Sequence, residues 1–268
     1  MRISFIAAAA ASLLVVSGCE SVRTTNAGEV GVERKQKMLV PSETIEQGAA
    51  QAYEAELKAA RDKGVLNTDQ AQLARVTAIS KKLVAVTPTF RPDAPSWNWQ
   101  FNVQKTPELN AYCMPGGRIM VYSGLIEKLD LTDAELATVL AHEVAHALRE
   151  HTRERVSRAY AQQLVLSGAA AVAGVSEATA NMAGMVAEVT FQLPFSRDQE
   201  SEADRIGLEL MARAGYDPNA ALSLWKKMAA AQSAGTPKFL STHPAPKDRI
   251  EDIEKLLPRV LPLYAGQR

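Results

Sequence analysis

The sequence predicts an α+β fold, mainly helical, with a small β-sheet set beside one central helix. Three observations lead there. WNWQFNVQ alternates apolar and polar side chains, and RIMVYSG is a second short apolar run, so both read as strands. From Thr132 onward the chain is mostly helical in pattern, with few breaks. Capping boxes at Thr132/Glu135 and Ser196/Gln199 mark where two of those helices start. A chain of 268 residues, 47% of them hydrophobic, suits one sizeable domain with its own core. Its 30 basic and 30 acidic side chains leave no cationic excess, which excludes a general nucleic-acid binder.

The elements follow in order. Residues 1–18 read as a secretory signal, with Arg2 and then an apolar run from Ile3 to Val16 that is too short for a membrane span. Val16-Ser17-Gly18-Cys19 resembles a bacterial lipobox, which makes Cys19 the expected lipidation site and new N-terminus. By the same resemblance, Glu20 in place of Asp directs the protein to the outer membrane. Residues 19–44 are expected to be a lipidated N-terminus and flexible tether, and residues 45–268 the folded domain. Helices are expected from Ser42 to Lys63, ended by Gly64, and from Thr68 to about Val86, ended by Pro88. Between the strands, Pro115-Gly116-Gly117 marks a turn. LVLSGAAAVAGV and NMAGMVAEV suggest a helical hairpin, either lining a groove or dipping into a membrane surface. The helix begun at Ser196 should end at Gly215, another should open at Asp217-Pro218, and a last should run from about Pro246 to Leu257.

The densest chemistry lies in VLAHEVAHALREH. His142 and His146 are four residues apart, so on a helix they project from one face, as two ligands of a zinc ion must. Glu143, one position round, can act as general base toward water at such a metal without being a ligand. Small apolar neighbours argue against a solvated histidine pair. A metzincin site is excluded, because it requires glycine at 149 and histidine at 152 where Arg149 and Thr152 stand. His151 falls on the opposite side of a continuous helix and is expected to be solvated. A third ligand must come from elsewhere, and SRDQESEADRIG offers Glu200, Glu202 and Asp204. Glu200 and Asp204 share a helix face, whereas Glu202 points away. One carboxylate can complete a His₂Glu site while another accepts from a ligand imidazole. With Cys19 lipidated, Cys113 has no intrachain partner and is either a buried small hydrophobe or a redox-reactive thiol.

Four segments, NAYCMPGGRIMVYSGLI, ELATVLAHEVAHALREH, SRDQESEADRIGLELMARAGYDP and STHPAPKDRI, resemble in order the zinc metallopeptidases of the HtpX and CAAX-prenyl-endopeptidase family. The soluble periplasmic branch, with its LoiP, BepA and Oma-like peptidases, is the more similar. The resemblance implies a gluzincin-type domain holding one Zn²⁺, with His142, His146 and Glu200 as ligands and Asp204 supporting a ligand histidine. It implies that Asn110, Ala111, Tyr112 and Cys113 form an edge strand on which an extended substrate pairs its backbone. It gives Cys113 no reactive role. His243 lies in the His-Pro segment, which in this family is near the cleft. His243 is therefore expected either to stabilise the oxyanion or to take the open zinc position and hold the enzyme latent. Arg249 is a second oxyanion candidate.

The implied activity is zinc-dependent endoproteolysis by a lipoprotein facing the periplasm. Its substrates would be misfolded or misassembled envelope proteins, and its partners the membrane, through lipid on Cys19, and outer-membrane assembly machinery. The competing expectation is a chaperone-like assembly factor that holds unfolded clients in the same groove and cleaves them rarely or never.

Overall fold

The computed structural model describes residues 20–166, 182–232, 237–244 and 248–266. The signal, the lipobox with Cys19, and residues 167–181 of the expected hairpin lie outside them. Two short strands, β1 (Glu20–Val22) and β2 (Gln36–Met38), pair antiparallel. Helices α1 (Ser42–Asp62) and α2 (Gln70–Val86) follow. The Asp69 carboxylate caps α2 by accepting from the Ala71 and Gln72 amides, which sets its start two residues later than expected. A three-stranded sheet comes next: β3 (Gln100–Gln104), β4 (Ala111–Met114) and β5 (Arg118–Tyr122). The Gly116-Gly117 turn, with φ of 79° and 84°, lets β4 and β5 pair antiparallel. Strand order is β3-β5-β4 with β3 parallel to β5, so β4 is an edge.

Both expected capping boxes are present. Thr132 starts α4 (Asp133–Leu148), after the short α3 (Ser123–Lys128), and Ser196 starts α7 (Arg197–Arg213). Between them run α5 (His151–Leu166) and α6 (Met182–Phe191). Helices α8 (Ala220–Gln232), α9 (Lys238–Thr242) and α10 (Arg249–Ala265) complete the chain. The last helix runs past the expected end at Leu257 and through Pro258 and Pro262, while Ile253, Leu256, Leu257 and Val260 bury one face. Among the described residues no helix is long and apolar enough to cross a membrane.

Helix α4 is buried on all sides from Glu135 to Leu148, as a helix apolar all round must be. α2, α7, α8 and β4 pack around it. The sheet divides the core. Ala111, Cys113, Ile119 and Val121 join the cluster built on α4, while Tyr112, Met114 and Met120 join α1 and α6 on the other face. Alternation along β4 thus gives each face a separate hydrophobic partner.

Residues 20–44, whose polarity suggests a flexible tether, pack against the folded domain. From Glu20 the chain is laid across the helices, with Val30 and Val32 in the main core and Met38 and Val40 buried. The Val30 amide donates to Glu209, and the Gln36 amide donates to the Arg149 carbonyl at 2.7 Å. Widely spaced valines and one methionine supply the apolar burial that a loose tether lacks.

The VLAHEVAHALREH segment also departs from a single helix. α4 stops at Arg149, Glu150 takes a left-handed conformation (φ 50°), and α5 starts afresh at His151. A non-glycine residue is strained there, and its surroundings hold it. Its carboxylate accepts from Arg91 (3.0 Å), Arg153 (2.6 Å) and Ser42 (2.8 Å).

Candidate metal centre

Two buried helices bring the donors together. On α7, Glu200, Ala203 and Gly207 fall on one face at helical spacing and meet α4. A Cβ on Gly207 would lie 3.0 Å from the His142 amide nitrogen, so the absent side chain is what lets the helices approach this closely. Glu200 thereby reaches the turn that carries His142 and His146. His146 Nε2 lies 3.0 Å from His142 Nε2 and 3.3 Å from Glu200 Oε1. His243, just after α9, adds Nδ1 at 3.2 Å from His142 Nε2 and 3.1 Å from Glu200 Oε1. One ligand atom from each of the four residues falls within 4.8 Å of the others, and all four residues are buried.

The surrounding hydrogen bonds decide which atoms are free. His142 Nδ1–H donates to Asp204 Oδ1 at 3.0 Å, which leaves the Nε2 lone pair facing inward. Arg249 holds both carboxylates, donating from Nε to Asp204 (2.6 Å) and from Nη2 to Glu200 (2.6 Å), with its guanidinium 3.9 Å over Trp225. Those bonds make Arg249 an orienting group for Glu200 and Asp204, while its buried Nη1 has no hydrogen-bond partner and leaves the oxyanion expectation standing. Burial would raise the Glu200 carboxyl, but facing His243 and His142 holds it well below the carboxylate range. Burial pushes His146 well below its ordinary value, toward the neutral form a metal requires.

Glu143 is placed differently. Its Oε2 accepts from the Cys113 amide at 3.2 Å, while its buried Oε1 has no hydrogen-bond partner. Burial raises its carboxyl above the ordinary value. The bond to Cys113 shows that the free edge of β4 borders the site. A small cavity has Asn110, Ala111, Tyr112 and Cys113 on one side and Glu143 and His243 on the other. The Cys113 thiol is buried and pushed well above its usual range by that burial, which fits the expectation of a buried small hydrophobe.

His151 is a correction. It is fully buried, not solvated, because the break at Glu150 turns the chain back toward the site. Its Nδ1 lies 2.8 Å from His146 Nδ1 and its Nε2 lies 3.0 Å from Glu202. Glu202 does point away from Glu200, as expected, but into a buried cluster with Arg149 and Arg34. Sequence reasoning missed Arg34, Arg149 and the ring of Phe195, whose centroid is 4.0 Å from that of His146. Only the arginines carried a signal, as cations flanking the motif and the N-terminal segment.

The donor set fits one zinc ion. Imidazole nitrogens stripped of protons by outer partners converge with a carboxylate oxygen, and lone pairs so close together need a cation between them. The shell is not cysteine-rich, and on the Glu143 side His243 stands 3.5 Å from a buried carboxylate oxygen that has no hydrogen-bond partner.

Comparisons with known proteins point the same way. The chain is 37% identical over 185 residues to the mitochondrial metalloendopeptidase OMA1 of Schizosaccharomyces pombe, covering 68% of this chain and 52% of that one. It is 32% identical over 209 residues to OMA1 of Bos taurus, covering 74% and 39%. To the metalloprotease YcaL of Escherichia coli it is 24% identical over 249 residues, covering 92% and 94%. The match thus spans about half or less of the OMA1 chains and nearly all of YcaL. Residues 70–257, which hold every residue of the donor set, match peptidase family M48, and the chain belongs to that family.

Proposed function

We propose that this protein is a zinc-dependent metalloendopeptidase of the bacterial cell envelope, anchored by lipid on Cys19 and facing the periplasm. One observation carries the enzymatic reading. A buried carboxylate with an unpartnered oxygen, Glu143, adjoins a converged His142–His146–Glu200 set. His142, His146 and Glu200 would hold the zinc. When bound, zinc supplies Lewis-acid polarisation of a carbonyl and lowers the pKa of water to about 7. Glu143 Oε1 takes the proton from the attacking water and returns it to the departing amine nitrogen, a transfer helped by its raised pKa. The Cys113 amide fixes the other carboxylate oxygen, so Oε1 is already aimed. Asp204 and Arg249 keep His142 and Glu200 in place. The free edge of β4 accepts an extended peptide through its backbone, which selects for unfolded segments more than for side chains.

Misfolded or misassembled envelope proteins are the substrates that reading favours. The lipobox-like Val16-Ser17-Gly18-Cys19 supports an envelope setting, and outer-membrane assembly machinery is the partner class that setting favours. Glu143→Gln should keep zinc and lose cleavage of an unfolded protein substrate, read by gel after a timed digestion; retained cleavage sinks the mechanism.

The competing reading, a client-holding factor with latent activity, has one observation in its favour. His243 stands among the donors, with Nε2 3.5 Å from Glu143, in the space a water nucleophile requires. An enzyme so arranged rests until that histidine withdraws.

A further inference from the structure

The two zinc-binding histidines are supported unequally. His142 rests on a carboxylate, Asp204, the usual partner of a metal-bound imidazole. His146 rests on another histidine. A metal at His146 Nε2 leaves the proton on Nδ1, which then donates to His151 Nδ1 across 2.8 Å. His151 must therefore carry its own proton on Nε2, and that proton goes to Glu202 at 3.0 Å. Glu202 in turn accepts from Arg149 Nη2 at 2.9 Å and from Arg34 Nε at 2.6 Å. Arg34 also grips Glu154 at 2.6 and 2.9 Å, and Gln36 and Gln199 complete that carboxylate.

Geometry sets the direction of this chain: with His146 Nε2 facing the ligand cluster, its Nδ1 donates, His151 Nδ1 accepts, and His151 Nε2 donates to Glu202. The order of contacts is unbroken from the N-terminal segment to the metal ligand, and every link is a hydrogen bond of 3.0 Å or less.

We infer that His151 is a positioning residue for zinc. It fixes the ring and tautomer of His146, and it is itself held through Glu202 by Arg34 of the N-terminal segment, so residues 20–40 complete the metal centre. This inference rests on the metal-site reading above. It also explains why the chain tolerates a left-handed glutamate at 150. That break is what carries His151 back to His146.

The test is zinc affinity, measured at one fixed pH by competition with a chromophoric chelator, with circular dichroism of each metal-free protein alongside. His151→Phe keeps a ring and removes both nitrogens; it should weaken zinc binding by about 10–100-fold. His151→Asn, which retains an acceptor and a donor, should recover part of that loss. Arg34→Met, at a side chain 31% exposed, should weaken binding by a smaller factor, and that factor should vanish in the His151→Phe background. A wild-type protein that binds no zinc overturns the metal-site reading and this inference together. Wild-type binding with unchanged affinity in folded His151→Phe overturns the inference alone. If His151→Phe does not fold, unchanged affinity in both His151→Asn and Arg34→Met does the same. A lower melting temperature of the metal-free variants at constant zinc affinity marks a purely structural role, and also overturns it.

Discussion

His243 touches both halves of the site. Its Nδ1 faces the ligands and its Nε2 faces Glu143. Phe239 and Phe195 stack against its ring with centroids 4.5 and 4.9 Å away, so it is held there by packing as well as by polar contacts. His243→Ala should change proteolysis by at least about tenfold, upward if the ring blocks the water and downward if it stabilises the oxyanion, a loss of the size seen for single oxyanion donors. Turnover equal to wild type, assayed with added zinc and again with chelator, would remove His243 from the mechanism. At this scale the sequence was informative where the geometry is local. The i, i+4 pairs His142/His146 and Glu200/Asp204 needed only the pitch of one helix. His151 was illegible, because its position depends on a positive φ at Glu150 and no glycine or asparagine marks the spot. The bonds of Arg249 to Asp204 and Glu200 were not legible, since those partners lie 45 and 49 positions away, outside any periodic pattern.

Among the elements, the α4–α7 crossing sets the metal site, and Gly207 sets the crossing. Gly207→Ala puts a methyl group 3.0 Å from the His142 amide and 3.1 Å from the Ala141 carbonyl carbon, both backbone atoms of a fully buried helix. The helices must part by a few tenths of an ångström, which should cost about 1–3 kcal/mol in denaturant unfolding and weaken zinc binding in step. Full stability with full zinc affinity would show that the contact is not needed. Element starts were legible when a side chain performs the cap, as at Thr132 and Ser196, because capping is encoded within four residues. Ends were less so. α10 passes two prolines that normally stop a helix, because burial of Ile253, Leu256, Leu257 and Val260 against the rest of the fold outweighs the lost bonds.

Across the whole molecule, the buried cluster around Arg34 joins the N-terminal segment to three helices, α4, α5 and α7, and it should be felt in acid. Burial alone would raise the Glu154 carboxyl, but the Arg34 guanidinium and the Gln36 and Gln199 amides hold it down at about 2. A carboxylate depressed on folding stabilises fully above its unfolded value, near 4.3, and the contribution drains away as pH falls toward 2. Between pH 6 and pH 3, wild type should therefore lose about 1–2 kcal/mol more unfolding free energy than Glu154→Gln, measured in urea. Equal losses in the two proteins would mean that the carboxylate is no more acidic folded than unfolded. None of this cluster was legible as a unit. Its members are spread from Arg34 to Glu202, and each alone reads as a solvated charge.

The early entry of the chain into structure has a mechanical meaning for the proposed lipid anchor. A coil over residues 19–44 would have let the catalytic cleft roam by about 25–30 Å. Instead β1 begins at Glu20, the residue after Cys19. If that cysteine carries lipid, as proposed, the leash would have almost no play, and the cleft would stand at one height and one tilt above the bilayer.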